Sequence, residues 1–108
     1  MDPHQDITPE ELQSRLDAGA KVVLLDVREP MEWAIGHLAG AVHIPMRSVS
    51  ARIGELDPEA ETVVYCHHGS RSAAVAAMLR HAGFRDVRNL TGGIDRWSTT
   101  VDAAIPRY

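Results

Sequence analysis

The chain has 108 residues, enough for one hydrophobic core but too few for two, and 44% of them are hydrophobic, as in folded globular chains. A net charge of -4 gives no general attraction to nucleic acid or to an anionic membrane surface. A single cysteine excludes an internal disulfide and a multi-cysteine zinc site, and no run approaches the roughly 18 apolar residues of a membrane span.

In chain order, the start Met1-Asp2-Pro3-His4-Gln5-Asp6 is polar and acidic, unlike a secretory signal, and points to a cytoplasmic protein. Ile7-Thr8-Pro9-Glu10-Glu11 reads as a helix start, with Thr8 as N-cap, Pro9 at the first helical position and Glu11 closing a capping box. Leu12 and Leu16 share a face of that helix, and Gly19 ends it. Val22-Val23-Leu24-Leu25 is a continuous apolar run, as expected of a strand buried on both faces of a parallel sheet, and it stops at Asp26. After Arg28 and Pro30, Met31–Ala34 forms a short helical turn. Gly36–Gly40 is a loop into the short strand Ala41–Ile44, which Pro45 stops.

Ser48–Leu56 reads as a further helix with Val49, Ile53 and Leu56 on one side. Thr62–Tyr65 is the central strand. Ala73–Ala82 has helical spacing, with Val75, Met78, Leu79 and Ala82 on one face, and its small residues Ala73, Ala74, Ala76 and Ala77 suit close packing on a sheet. Gly83 closes that helix, Val87–Leu90 is the last strand, and Gly92-Gly93 leads to a helix carrying Ile94 and Trp97. Strands separated by helices imply parallel pairing through right-handed crossovers, with a site beyond the carboxyl ends of the strands.

The segment between the central strand and the Ala-rich helix, Cys66-His67-His68-Gly69-Ser70-Arg71-Ser72, lies at such an end, as do Asp26 and Arg28. A strand-to-helix loop with a glycine at its bend can turn successive backbone N–H groups inward as an anion-binding nest, reinforced by the helix N-terminus. A thiol at the mouth of that cradle is favoured as its thiolate, the nucleophilic form. Arg71 and two histidines, with no acid among the seven residues, make the loop locally cationic and suited to a small anionic substrate. Asp26 and Arg28 are expected to brace the loops by hydrogen bonds, and His37 to satisfy backbone groups. Trp33 and Trp97 are expected to pack, and Gly92-Gly93 to mark a close backbone approach. His67 and His68 face either solvent or substrate. They fall short of a metal site, and no cofactor is indicated.

Three segments together resemble a rhodanese domain. They are Asp26-Val27-Arg28-Glu29 with Glu32, Trp33, Gly36–Ala41 and Ile44-Pro45; Tyr65–Ser72; and Asn89-Leu90-Thr91-Gly92-Gly93-Ile94 with Trp97. The ending Val101–Tyr108 also resembles the tail of small members. The resemblance implies a three-layer α/β fold in a single domain over residues 1–108, with a mostly parallel sheet of about five strands flanked by helices on both faces. It implies sulfur transfer: Cys66 takes the sulfane sulfur of a small anionic donor such as thiosulfate, becomes a persulfide, and passes the sulfur to cyanide or a thiol. By position, Cys66 is the nucleophile and the backbone of His67, His68, Gly69, Ser70 and Ser72 lines the substrate. Arg71 closes the loop over the donor, and Asp26 and Arg28 support it. Two half-reactions of this kind give ping-pong kinetics. The alternatives are a carrier module that accepts persulfide from a protein donor, and an arsenate reductase or phosphatase relative. The latter use one more residue between Cys and Arg than the four found here, His67 to Ser70.

Overall fold

The computed structural model of the chain describes residues 5–108; the polar start on which the reading of the N-terminus rests lies mostly outside them. Five strands form one sheet: β1 (Asp6–Ile7), β2 (Val22–Asp26), β3 (Val42–His43), β4 (Glu61–Tyr65) and β5 (Asp86–Leu90). Their order is β1-β5-β4-β2-β3 and every pairing is parallel. Three helices connect strands, α1 (Pro9–Asp17), α2 (Pro30–Ile35) and α3 (Ser70–His81), and a fourth, α4 (Gly93–Thr100), follows β5.

Alternation along the strands divides the core in two, because successive side chains leave a strand on opposite faces. Leu25, Val27, Val64, Cys66 and Val87 meet Val75, Ala76 and Leu79 of α3 on one face. Leu24, Val63, Tyr65 and Leu90 meet Leu12 of α1 and Ile94 and Trp97 of α4 on the other. Each fully buried aliphatic side chain contributes about 1.5–3 kcal/mol relative to exposure, so both layers are needed.

At the start of α1, the capping box expected at Thr8 and Glu11 forms in both directions: Glu11 N donates to Thr8 Oγ1 and Thr8 N to Glu11 Oε1. Other expectations change. Ile7, read as the lead-in to that helix, belongs to the edge strand β1, paired with Leu90. A two-residue strand leaves no periodicity to detect. The helix expected over 48–56 is instead two short 3₁₀ turns, Met46–Ser48 and Ile53–Glu55. Ser48, Ser50 and Gly54 are poor interior helix residues and β-branched Val49 and Ile53 add to the cost, while Val49 still reaches the core. Helix α3 begins at Ser70, three residues before the apolar pattern does. Of the small residues expected on the sheet, Ala76 packs there, whereas Ala73, Ala74 and Ala77 are exposed. Position 76 follows Val75 and precedes Leu79 on the inward stripe; the other three lie off it. Ala82, expected on the apolar face, is exposed because the helix has ended at His81.

Register positions the site. Asp26 pairs with Tyr65, so Arg28 and Cys66 leave neighbouring strands at the same end of the sheet. Val27 N donates to Tyr65 O at 3.1 Å and keeps the two chains together just beyond it.

Candidate active site

Cys66 follows β4 directly, on the same face as Val64, and the period of two turns its side chain into the core under α3. It is 1% exposed. The thiol therefore forms the floor of the loop rather than its mouth, a correction to the sequence reading that follows from strand alternation. The backbone then climbs to Gly69, whose φ of 113° only glycine adopts without strain, and α3 starts there.

Two N–H groups converge on the sulfur: Gly69 N at 3.1 Å and Ser72 N at 3.4 Å. Ser72 is fully buried, with Oγ 3.3 Å from Sγ, and its hydroxyl donates to Asn89 Oδ1 at 2.6 Å. Asn89 Nδ2 in turn donates to Gly69 O at 3.1 Å, so one amide from β5 holds both halves of the loop. From the other side, Ile94 N and Asp95 N of α4 donate to the carbonyls of Cys66 and His67, at 2.9 and 3.1 Å. Gly93 permits that approach, since a Cβ there would lie 2.4 Å from His67 O and 2.5 Å from Cys66 O. The pair Gly92-Gly93 thus marks a close backbone contact.

Arg71 does not stand free at the loop. Its Nη1 and Nη2 donate to Glu32 Oε1 and Oε2, at 2.7 and 3.0 Å. Glu32 closes the capping box of α2 by accepting from Glu29 N at 2.9 Å, and it also accepts from the Tyr108 hydroxyl at 2.7 Å. The Arg71 guanidinium, opposed by partial burial and helped by Glu29 N and Tyr108, holds the Glu32 carboxyl down at about 2. The Glu32 partnership in turn raises Arg71, and the nearby Cys66 adds to that rise.

Tyr108 lies over the loop. Its ring stacks on His67, with centroids 3.9 Å apart and planes within 8°. Burial pushes its phenol up to about 12. His67 is lowered, first by burial and then by His68, and its Nε2 is buried without a hydrogen-bond partner. His68 and Ser70 are exposed, with His68 Nδ1 4.0 Å from Asp95 Oδ2.

Beneath this, Asp26 and Arg28 are both fully buried. Arg28 Nη2 reaches Asp26 Oδ2 at 2.6 Å and Nε reaches Oδ1 at 3.0 Å. The rest of the guanidinium donates to Glu32 O, Gly36 O and the Tyr108 hydroxyl, at 3.2, 2.7 and 3.0 Å. Burial opposes the charge, but the bonds to Asp26 and Tyr108 outweigh it and Arg28 is raised. His37 Nδ1 meets Trp33 O at 3.2 Å, and the Trp33 ring is stacked between His37 and His43.

Of the residues expected at the site, Cys66 to Ser72 form the loop itself, and Asp26 and Arg28 stand at the end of the neighbouring strand, where Asp26 pairs with Tyr65. Glu32, Asn89 and Tyr108 were missed as site residues. Asn89 carried a signal: it sits two positions past Val87, on the face that α3 covers. Among the described residues no group of three or more His, Cys, Asp or Glu could hold a metal ion, and no helix is long and apolar enough to cross a membrane.

Comparison with known proteins gives concordant matches. A family model described as a rhodanese-like domain matches residues 8–100. The thiosulfate sulfurtransferase GlpE of Pseudomonas aeruginosa is 39% identical over 102 residues, covering 94% of this chain and 91% of the relative. The "Probable adenylyltransferase/sulfurtransferase MoeZ" of Mycobacterium tuberculosis is 40% identical over 104 residues; 94% of this chain is covered, but only 26% of that longer protein. Among solved structures, a rhodanese-like domain protein from Staphylococcus aureus superposes with a TM-score of 0.84 at 29% identity, covering 96% of this chain and 98% of that one.

Proposed function

This chain belongs to the rhodanese-like domain family and is a sulfurtransferase of the rhodanese type, and we propose that it works as one domain that carries sulfur on Cys66. The observation that supports this best is the sulfur at the loop floor, 3.1 and 3.4 Å from two converging N–H groups. Those donors favour anionic sulfur, as thiolate before the reaction and as persulfide after it.

In the first half-reaction the Cys66 thiolate attacks the outer sulfur of a sulfane donor. With thiosulfate, an Sγ–S bond forms, the S–S bond of the donor breaks, and its electron pair leaves with sulfite. In the second, cyanide or a thiolate attacks the terminal persulfide sulfur. Thiocyanate or a new persulfide departs and the Cys66 thiolate returns. No external oxidant or reductant enters, and the enzyme alternates between two stable forms, as ping-pong kinetics require. Burial of Cys66 favours a donor whose sulfur projects as a single atom over one presenting a tetrahedral oxyanion, which supports sulfur transfer over phosphate or arsenate chemistry. Arg71 and the loop backbone from His67 to Ser72 surround the donor, while Asp26 and Arg28 hold the wall. A reduced thiol of this kind suits the cytoplasm.

The test is an intact-mass measurement after incubation with thiosulfate. The protein gains one sulfur, loses it on addition of cyanide, and gains none as Cys66→Ala. Absence of the adduct in the unmodified protein refutes the reading. A second reading, sulfur received from a protein persulfide, is favoured by Met31 and Ile35. They are 76% and 43% exposed, one helical turn apart on α2 beside Glu32. Faster loading from a protein persulfide than from thiosulfate supports it.

A further inference from the structure

We propose that Glu32 is a specificity-determining residue that fixes the charge class of the donor: by occupying Arg71, it leaves the loop's own arginine paired rather than free for a dianion. The inference rests on the sulfur-transfer reading and refines it. The cationic loop of the sequence acquires its counter-charges from elsewhere in the fold. Arg71 is held by both oxygens of Glu32, at 2.7 and 3.0 Å. Glu32 cannot swing aside freely, since Glu29 N and the Tyr108 hydroxyl hold the same two oxygens. The Tyr108 hydroxyl is anchored by Arg28, and its ring lies on His67.

The charges beside the loop histidines are compensated locally. His67 is held toward its neutral form by burial and by His68. Asp95, 4.0 Å from His68, is itself paired with Arg107 at 3.0 Å. At Arg71 a thiosulfate dianion therefore meets a neutral ion pair. It must either enter without that cationic partner or separate Arg71 from Glu32. A donor whose sulfane sulfur rides on a neutral or singly charged carrier, such as an alkyl persulfide, needs neither. Glu32 acts through Arg71, so it is a positioning residue for the charge that the donor sees.

Alkylation of Cys66, the only cysteine of the chain, reads that charge directly and independently of sulfur transfer. The rate ratio of anionic iodoacetate to neutral iodoacetamide cancels changes in thiolate content and loop access. Glu32→Gln is expected to raise the ratio by roughly three- to tenfold, the effect of unmasking one charge a few ångströms away in a half-exposed site. Arg71→Gln lowers it by a similar factor, and the double variant returns to within about twofold of the starting value. In parallel, Glu32→Gln lowers KM for thiosulfate with kcat little changed, while KM for an alkyl persulfide moves less. A ratio that stays the same or falls in Glu32→Gln overturns the proposal. Should that variant fail to fold, salt dependence in the unmodified protein decides. A neutral pair gives a ratio that is flat between low and high salt, and a free Arg71 gives one that drops steeply. Failure of sulfur transfer itself would look different: no donor adds mass to Cys66, yet the alkylation ratios still report the charge balance.

Discussion

Replacing Asp26 by Asn tests the buried pair beneath the site. The substitution keeps size and shape but removes one negative charge from a position with no solvent exposure. Arg28 then remains charged, because its guanidinium also donates to Glu32 O, Gly36 O and the Tyr108 hydroxyl and cannot leave. Worse, the Asn amide must turn an NH₂ toward either Nε or Nη2, groups now 3.0 and 2.6 Å from carboxylate oxygens. Breaking a buried pair from one side costs about 3–5 kcal/mol, against a total stability of about 5–15 kcal/mol for such a domain. At about 4–8 °C per kcal/mol, the thermal midpoint should fall by roughly 12–40 °C. A thermal melt reads that fall, and urea unfolding followed by the fluorescence of Trp97, which is 6% exposed, reads the free-energy loss. Replacing both partners, Asp26→Leu with Arg28→Met, should cost less than the sum of the two single changes, because no lone charge stays behind. A loss below about 1 kcal/mol in Asp26→Asn, or strict additivity in the double variant, would refute the account.

Glu32 makes stability pH-dependent. Its carboxyl titrates at about 2 in the fold against an ordinary 4.5, so its contribution, about 2–3 kcal/mol after allowing for solvent around Arg71, is complete above pH 4.5 and fades as pH falls toward 2. The stability gap between the unmodified protein and Glu32→Gln should therefore shrink over that window in acid-titrated urea melts; a constant gap contradicts the assignment. Gly93→Ala puts a Cβ within 2.6 Å of three backbone atoms at 66 and 67, and should cost more than about 3 kcal/mol and abolish sulfur loading. Gly19→Ala, also at positive φ but facing open space, should cost only about 1 kcal/mol; equal losses would show that conformation alone, and not the contact with the loop, explains Gly93. Thr8→Ala removes the α1 cap and should cost about 1 kcal/mol with unchanged persulfide formation.

Legibility in the sequence followed the range of the interaction. The α1 cap lies within four residues and was readable from Thr8, Pro9 and Glu11 alone. Strands β2 and β4 announced themselves as apolar or β-branched runs, β5 by its place between Gly83 and Gly92-Gly93, and the loop through its position between a strand and a helix. What failed was either too short for a period, as in β1, or helical in pattern but not in propensity, as over 48–56. The charge of the loop failed for a different reason. Arg71 and Glu32 are 39 residues apart, and Tyr108 is 76 from Glu32. Counting charges within seven residues gives a cationic loop, while the fold supplies the compensating carboxylate from another element. The depth of Cys66 was within reach: stepping by two from Val64 already turns it inward.

The buried Arg28 has a backbone cause. Helix α2 is six residues long, so its last carbonyls lack intrahelical donors and need partners from elsewhere. Trp33 O meets the His37 ring, and Glu32 O and Gly36 O take two N–H groups from Arg28. A cation in that position requires a buried counter-charge, which Asp26 provides from the end of β2. One N–H remains directed at the Tyr108 hydroxyl, which donates its own hydrogen bond to Glu32, and Glu32 faces Arg71. Charges thus alternate from the floor to the mouth: Asp26, Arg28, the neutral phenol, Glu32, Arg71. Each member is placed by the one below it, so the charge presented to a donor is set by a helix that contributes no atom to the loop itself. A change at Tyr108, which touches neither the sulfur nor Asp26, is the cut that would separate the two halves.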